Sequence, residues 1–154
     1  MATTYSTDAY ANGQSNAKSV PPGTLIAVDF DTNASPGADV GAAIVLAIND
    51  EIRLCYIPDN AVIEGYNIDI GDMDGGAALE LSLRDGASNI YQAAITSGQA
   101  GGKITDANAI TRFIGVAKTY THAQAYLTLL VTAAAASASS AAGRVSGRVL
   151  LRQT

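Results

Sequence analysis

The chain has 154 residues, enough for one domain, and its core must be mainly aliphatic because Trp is absent and only 6% of the residues are aromatic. The formal net charge is -5, without the clustered Lys and Arg residues that phosphate binding requires, so composition argues against a nucleic-acid partner. Charged residues make up 15% of the chain, below the usual share of about 25%, which indicates that much of the surface faces protein.

Neither a membrane segment nor a secretory signal is visible in the sequence. No apolar stretch approaches the roughly 20 residues of a membrane-spanning helix. The first residues lack the basic and apolar regions of a signal peptide. We therefore expect synthesis and folding in the cytoplasm and no membrane partner.

Charge is distributed unevenly along the chain. Residues 1–102 contain thirteen Asp or Glu residues against three basic residues, Lys18, Arg53 and Arg84, whereas residues 103–154 contain six basic residues and one acidic residue. The two portions are electrostatically complementary, which would serve either to close one fold or to join neighbouring copies. Pairing within one fold is the simpler interpretation, because exposed ion pairs contribute little to stability.

The first segment, residues 1–23, shows no sustained hydrophobic period. It ends in Pro21 and Pro22, which remove two backbone donors and block the propagation of a helix into the rest of the chain. The sequence therefore predicts an extended N-terminal arm over residues 1–23 and a domain over residues 24–154.

The predicted arm carries candidate partner-binding residues. An aromatic ring on an extended segment is an efficient anchor when a partner offers a pocket. The candidates are Tyr5, Tyr10, Val20, Pro21 and Pro22. The alternative is a terminal tail that stays disordered.

Eight segments of the predicted domain have strand-like hydrophobic patterns. They cover residues 24–30, 41–48, 51–57, 62–70, 77–84, 89–95, 124–132 and 144–152. The clearest is the fifth, where Leu79, Leu81 and Leu83 share one face and polar residues share the other. Many short strands at regular spacing predict an all-β fold, an antiparallel β-sandwich or jelly roll.

Turn signals separate several of these strands and favour tight hairpins. They are Asn49-Asp50, Pro58-Asp59-Asn60 and Asp85-Gly86. With strand-like alternation between them, residues 51–85 are predicted to form a β-meander. The strand over residues 62–70 has no purely polar face, which favours a position at a sheet or subunit boundary.

The last third of the chain contains two segments of different character. Residues 106–115 follow a Gly-rich loop and are predicted to form a short helix capped by Thr105 or Asp106. Residues 133–143 are rich in Ala and Ser and end in Gly, which favours a long loop at one end of the sandwich.

The final strand presents arginines on one face and apolar residues on the other. Val145, Gly147, Val149 and Leu151 are predicted to point inward. The candidates for subunit contacts are Arg144, Arg148 and Arg152.

The residues that usually carry catalysis or metal binding are sparse. Cys55 is the single cysteine, which excludes an internal disulfide, and its apolar neighbours predict a small buried side chain. His122 has no carboxylate or Ser beside it in sequence, and one His with one Cys excludes the usual zinc ligand sets. We expect no enzymatic activity, no small-molecule substrate, no metal and no cofactor.

An acidic bend is the remaining candidate ion site. Asp69, Asp72 and Asp74 precede Gly75 and Gly76, but the Glu that would complete a twelve-residue calcium loop is missing. The ordinary interpretation is a bend that an Asp caps and glycine permits.

Two central stretches resemble a known family. Residues 50–63 read DEIRLCYIPDNAVI, and residues 68–86 read IDIGDMDGGAALELSLRDG. This succession of a strand, a hydrophobic-Pro turn, an outer strand, an Asp/Gly bend and a Leu-alternating strand is similar to the decoration, or cement, proteins of tailed-bacteriophage capsids. The strand over residues 126–131 fits the same plan.

The resemblance implies a jelly roll or related β-sandwich, commonly a homotrimer, that sits on the outer capsid surface where hexamers and pentamers meet. Its partners would be the major capsid protein and further copies of itself, in the virion, after synthesis in the host cytoplasm. Such a protein stabilises the shell against internal pressure and is not an enzyme.

Two other functions remain alternatives from the residues alone. A carbohydrate- or receptor-binding β-sandwich of a phage tail tip or fibre needs an exposed aromatic platform, which scattered Tyr residues without Trp make hard to assemble. A hydrolase on a jelly-roll scaffold needs a carboxylate pair, for which only the cluster from Asp69 to Asp74 is available.

Overall fold

The computed structural model describes residues 2–11, 21–32, 45–138 and 143–154. Within them the strands are, in chain order, β1 (Thr4–Ser6), β2 (Leu25–Asp31), β3 (Glu51–Tyr56), β4 (Ala61–Ile70), β5 (Glu80–Asp85), β6 (Ile90–Ile95), β7 (Gly102–Thr105), β8 (Tyr126–Ala133) and β9 (Val145–Gln153). The helical elements are α1 (Asp8–Ala11) and 3-10 turns at Ser97–Gln99, Asp106–Asn108 and His122–Gln124.

These strands form two sheets that enclose one core. The five-stranded sheet has the order β1-β3-β8-β5-β6, and the four-stranded sheet has the order β2-β9-β4-β7. All pairs are antiparallel except β1 with β3. The predicted all-β sandwich is confirmed, while the narrower assignment to a jelly roll stays a prediction. None of the helices in the described ranges has the length and apolar character needed to cross a membrane.

The chain passes from one sheet to the other at every connection between the described strands except the one joining β5 to β6. The predicted β-meander over residues 51–85 is therefore wrong, because β3, β4 and β5 do not pair with one another. The Pro58-Asp59-Asn60 turn is a corner between sheets, since tight-turn residues fix a bend and not the strand that follows. The hairpin predicted at Asp85-Gly86 is confirmed.

The segment before β3 also differs from its prediction. Residues 45–48, the described end of the strand predicted over 41–48, are not in a strand, and residues 41–44 lie outside the description. Asn49 takes a positive φ of 73° and donates its backbone N–H to the carbonyl of Val131. The Asn49-Asp50 turn thus leads into β3 beside the end of β8 and does not close a hairpin.

A β-bulge in β4 explains why neither of its faces is purely polar. The register with β9 shifts between Ile63 and Gly65, so the inward-facing residues change parity along the strand. Before the bulge, Ala61 and Ile63 point into the core. After it, Tyr66, Ile68 and Ile70 do so. A boundary between subunits is not needed to account for the pattern.

The N-terminal residues pack onto the sandwich. β1 pairs with β3 from Thr4 opposite Glu51, and the backbone N–H of Thr7 donates to the carbonyl of Arg53. Thr7 and Ala9 are fully buried. The structure thus differs from the predicted extended arm over residues 4–11, because an unpaired edge of β3 offers them backbone partners.

The segment after β7 is not the helix that was predicted over residues 106–115. A 3-10 turn at Asp106–Asn108 is followed by turns, and Gly115 has a φ of 74°. Ile110 donates its backbone N–H to the carbonyl of Tyr91, and the Phe113 ring packs against the Tyr91 ring at 5.9 Å between centroids. Long-range packing therefore prevails over a weak local helix signal.

The core is aliphatic, as the composition predicts, and Leu127, Leu129 and Val131 of the central strand β8 are fully buried within it. Cys55 is also fully buried, as predicted, and this burial raises the pKa of its thiol to about 12. The thiol is therefore a packed apolar group and not a nucleophile.

Gly147 of β9 provides a test of this packing. A Cβ at this position would collide with the carbonyl oxygen of Asn67 and lie 2.8 Å from the Cα of Ile68 in β4. We expect Gly147→Ala to lower the free energy of unfolding in urea by about 1–3 kcal/mol, because β4 and β9 must separate. Ser146→Ala, one residue away on the outer face, is the matched control and should change it by less than about 0.5 kcal/mol. Equal stability of the two variants would contradict this account of the packing.

Candidate functional site

The outer face of the four-stranded sheet carries a ladder of ion pairs. Arg148 of β9 holds Asp29 of β2 through two hydrogen bonds, Nε to Oδ1 at 2.5 Å and Nη2 to Oδ2 at 2.8 Å. These hydrogen bonds lower the pKa of Asp29. The other pairs on this face are Arg144 with Asp31, Arg152 with Glu64 and Lys103 with Asp69.

In this ladder, basic residues of the portion 103–154 form ion pairs with carboxylates of the portion 1–102 of the same chain. Arg144, Arg148 and Arg152 share the outer face, as predicted, and each is paired with a carboxylate of the acidic portion. Of the two interpretations given to the uneven charge, the structure supports pairing within one fold. The assignment of the three arginines to subunit contacts stays a prediction.

The outer face of the five-stranded sheet carries a different arrangement. Arg53 of β3 and Arg84 of β5 both lie directly opposite Thr128 of the central strand β8. Thr128 and Ser82 are only 1% and 2% exposed although they belong to this outer face. We call Arg53, Thr128 and Arg84 the arginine row.

Three tyrosines lie at one end of the arginine row. The Tyr10 ring stacks on Tyr56 with centroids 4.6 Å apart and meets Tyr126 edge-on at 6.0 Å. The guanidinium carbon of Arg53 lies 4.2 Å from the centroid of Tyr126, and its Nη1 donates to the Tyr10 hydroxyl at 2.7 Å. We call Tyr10, Tyr56 and Tyr126 the tyrosine cluster; it fastens the N-terminal segment to β3 and β8.

The residues predicted to bind a partner through the N-terminal arm occupy different places. Tyr5 is half-buried against the core, and Tyr10 is half-buried in the tyrosine cluster. Pro21 and Pro22 are exposed, and Val20 lies outside the described residues. Partner binding by these five residues stays a prediction, although the two tyrosine rings already contact their own chain.

The carboxylates of the acidic bend do not converge on a common point. Asp74 is 2% exposed, and its two oxygens accept the backbone N–H groups of Gly76, Ala78, Leu79, Ala136 and Ser137. Asp72 accepts the backbone N–H of Asp74, while Asp69 pairs with Lys103. No group of three His, Cys, Asp or Glu residues with the geometry of a metal site occurs in the described part of the chain. The predicted Asp cap is thus found at Asp74.

Backbone hydrogen bonds determine the direction in which the pKa of Asp74 is shifted. Burial alone would raise the pKa of Asp74, but the backbone donors of Gly76, Ala78, Leu79 and Ser137 outweigh it and lower the pKa well below its usual value. The carboxylate therefore stays ionised, and it ties the loop after β4 to the loop after β8.

A second buried carboxylate, Asp85, organises the β5–β6 hairpin. Its Oδ1 accepts the backbone N–H groups of Ala87 and Asn89, and its Oδ2 accepts the hydroxyls of Tyr91 and Tyr120 at 3.1 and 2.9 Å. Burial raises the pKa of both tyrosines. These groups are enclosed and mutually satisfied, which is typical of a structural network and not of a reacting centre.

Sequence reasoning missed the arginine row and the tyrosine cluster. Tyr10, Tyr56 and Tyr126 are far apart along the chain, and only the pairing of β3 with β8 brings the last two together. The three rings pack against one another and do not form an exposed aromatic platform. The side chain of His122 lies outside the description.

Comparison with solved structures finds the same fold in phage capsids. A chain from the capsid of Ralstonia phage GP4 matches with a TM-score of 0.63 and 23% identity, covering 98% of each chain. A chain from the capsid asymmetric unit of cyanophage Pam1 matches with a TM-score of 0.55 and 18% identity, covering 92% of this chain and 96% of the other. At these identities the likeness establishes a shared fold. No protein-family model and no curated protein matches the sequence.

We expect Asp74→Asn to lower the free energy of unfolding at pH 7 by about 3 kcal/mol, because five backbone N–H donors, one of them that of the buried Leu79, lose a charged acceptor. The pKa of Asp74 is lower in the folded chain than in the unfolded one, so its contribution is present above about pH 4 and lost as pH falls further. Urea unfolding from pH 7 to pH 2.5 should therefore show a shallower decline for the variant. Asp69→Asn, at an exposed carboxylate, is the control; equal curves for Asp74→Asn and the unsubstituted protein would contradict the capping role.

The tyrosine cluster gives a graded prediction. Tyr10→Ala should reduce the free energy of unfolding by about 2 kcal/mol, because a stacked and half-buried ring is removed. Tyr10→Phe keeps the ring and removes the hydroxyl that accepts from Arg53, so we expect a reduction of about 1 kcal/mol. Thermal unfolding with both variants checks the order, and an unchanged midpoint for Tyr10→Ala would show that the N-terminal segment is not held there.

Proposed function

We propose that this protein is a structural, non-enzymatic component of a bacteriophage virion that binds the outer surface of the capsid and cements the shell. The observation that carries the proposal is the almost end-to-end match, 98% of each chain, with a chain from the capsid of Ralstonia phage GP4. Equal coverage in both directions means that the whole sandwich is shared and not one common motif. The decoration-protein pattern of residues 50–63 and 68–86 supports the same function.

The described surface also suits a protein partner. Val45 and Ile48, before β3, are 53% and 57% exposed, and they flank Leu46, which is fully buried. Exposed apolar side chains that lie together as a contiguous patch are typical of protein contact sites. This segment is therefore a candidate for contact with the shell.

The rival hydrolase is disfavoured by the hydrogen bonds of the acidic bend. Asp74 is saturated by backbone donors, and Asp69 is an exposed side chain beside Lys103, so these two carboxylates do not form the buried pair that would act as an acid and a base. The rival carbohydrate-binding protein needs an open aromatic face. Within the tyrosine cluster the rings of Tyr10 and Tyr56 cover each other, and Tyr126 is 9% exposed.

Cementing would follow from mass action. A protein that binds the assembled shell but not its free subunits stabilises the shell by about 2.7 kcal/mol per site when its free concentration is a hundred times its Kd. A homotrimer would contact several major capsid proteins at once and gain avidity without new types of contact. In this proposal the partners are the major capsid protein and two further copies of the chain.

The test uses phage heads that lack this protein. Purified chain is mixed with expanded heads and, separately, with unexpanded procapsids, and each mixture is pelleted through a density cushion. We expect saturable pelleting with expanded heads and an increased temperature of head disruption after binding. Absence of pelleting with both particles would overturn the proposal, as would specific binding on a glycan array.

A further inference from the structure

Strand β2 forms one edge of the four-stranded sheet, and part of its backbone is open along that edge. The backbone N–H of Thr32 donates to the carbonyl of Val145, and the carbonyl of Thr24 accepts from Gln153, so both bond to the chain of β9. Hydrogen-bonding direction alternates along an antiparallel strand, so the odd-numbered residues of β2 turn their N–H and C=O groups away from β9. For residues 25, 27 and 29, no hydrogen bond within the described ranges reaches these groups.

The edge of β2 lacks the features that protect the other sheet edges. β6 shifts its register with β5 twice, and the carbonyl of Tyr91 in β6 accepts the backbone N–H of Ile110. β7 has four residues and β1 has three. β2 has seven residues, pairs with β9 without a shift, and contains no Gly, Pro or Lys. A regular edge of this kind is a template for a further strand.

The side chains along this edge also suit a further strand. Leu25 is 57% exposed on the outer face, and the small side chain of Ala27 is exposed beside it. Asp29 is already held by Arg148, so residues 25–29 present no unpaired charge. On the inner face, Ile26 packs against the core but is only half-buried. A strand across the edge would therefore remove apolar surface from water.

The open stretch has defined ends. The backbone N–H of Asp31 is accepted by the carboxylate of Asp8 at 2.7 Å, so α1 closes the edge at that end. At the other end the chain turns at Gly23, which has a φ of 85°. The open stretch therefore runs over residues 25–29, with Ala27 at its centre.

We propose that β2 pairs with β2 of a second copy of this chain, antiparallel and about a two-fold axis at Ala27. In this register Leu25 lies opposite Asp29 of the second copy, and Ile26 lies opposite Val28 of the second copy. The backbone groups that are open at the edge are then all paired. Ile and Val side chains directly opposite each other are favourable partners in an antiparallel pair.

The ends of the open stretch favour a second copy over a strand of another protein. Asp31, whose N–H is already accepted by Asp8, would lie opposite Gly23 of the second copy, where that strand has ended. A longer strand would continue past Asp29 and meet α1. At the axis Ala27 faces only another Ala27, so neither bulk nor charge opposes the contact.

This inference goes beyond the proposed function and does not depend on it. A two-fold contact uses the same surface of both partners and closes on itself. It is therefore a different contact from the one that would build a homotrimer, and a trimer held by other surfaces would still have β2 edges with which to join its neighbours.

Cysteine substitutions test the register directly. The native Cys55 is fully buried, so an added thiol is the accessible one. Directly opposed residues of a hydrogen-bonded pair have Cα atoms about 5.5 Å apart, within the range of about 4.4–6.8 Å that a disulfide bridges. Ala27→Cys should therefore give a covalent dimer on mild oxidation, measured by non-reducing electrophoresis.

Two further cysteine variants provide the controls. Leu25→Cys and Asp29→Cys should each remain uncrosslinked when oxidised alone, because each residue lies about 13 Å along the strand from its equivalent in the second copy. When the two variants are mixed, we expect a covalent heterodimer, because these positions are directly opposite. Crosslinking of all three variants alone to the same extent would contradict the register.

A pair of lysine variants tests the contact without a covalent bond. Ala27→Lys places two ammonium groups at the axis, whereas Ala93→Lys makes the same change at an exposed position of the edge strand β6. By sedimentation equilibrium we expect reversible self-association of the unsubstituted protein. Ala27→Lys should raise its Kd at least about tenfold, because like charges directly opposite are unfavourable, and Ala93→Lys should leave it within about twofold.

The outcomes separate this inference from the proposed function. Absence of crosslinking of Ala27→Cys would overturn the inference, as would equal self-association of Ala27→Lys and the unsubstituted protein. Weaker pelleting of Ala27→Lys with heads at unchanged self-association would also overturn it, because β2 would then pair with a strand of the shell. Crosslinking and sedimentation need no phage heads, so failure of the unsubstituted protein to pellet affects only the proposed function. Thermal unfolding verifies that each variant is folded, and the cysteine variants decide the question if Ala27→Lys is not.

Discussion

Buried carboxylates that accept backbone N–H groups are the interaction on which the rest of the fold depends. The chain crosses between sheets at nearly every turn, so its corners bring unpaired backbone donors next to an apolar core. Asp74 satisfies five such donors from two loops, and Asp85 satisfies two in the hairpin. Asp50 does the same for Thr3 and Ala47. Without these acceptors the corners would have to rearrange into solvent, and the sheets would lose their alignment.

The same carboxylates explain part of the uneven distribution of charge along the sequence. Part of the acidic surplus of residues 1–102 is internal, in Asp50, Asp74 and Asp85, each at most 3% exposed. Another part pairs with Arg144, Arg148 and Arg152 on the outer face of the four-stranded sheet. Once both uses are accounted for, the two outer faces differ in kind. One is internally neutralised, and the other carries Arg84, with which no carboxylate of the described residues forms an ion pair.

The sequence predicts where the strands lie along the chain much better than it predicts which strands pair within a sheet. Alternation located β5 and β9 and the inward face of β9, because a two-residue period depends only on local burial. It did not predict the order β1-β3-β8-β5-β6, in which strands far apart in sequence are adjacent. The bulge at Glu64 also escaped prediction, since an extra residue is visible only against a partner strand. The arginine row and the tyrosine cluster depend on that order, so no local signal could have revealed them. The Asp/Gly bend could be predicted, because Asp74 accepts hydrogen bonds from residues two to five positions further along the chain.

The positions of β8 and β9 have a consequence for how the chain matures on the ribosome. Both are interior strands of their sheets, yet both are encoded after residue 125. Until they emerge, the earlier strands can form only two-stranded ribbons, β1 with β3, β4 with β7 and β5 with β6, which are marginal by themselves. Nascent chains should therefore lack both finished sheets until translation of these residues is complete, and products truncated before β8 should be left with unpaired strand edges.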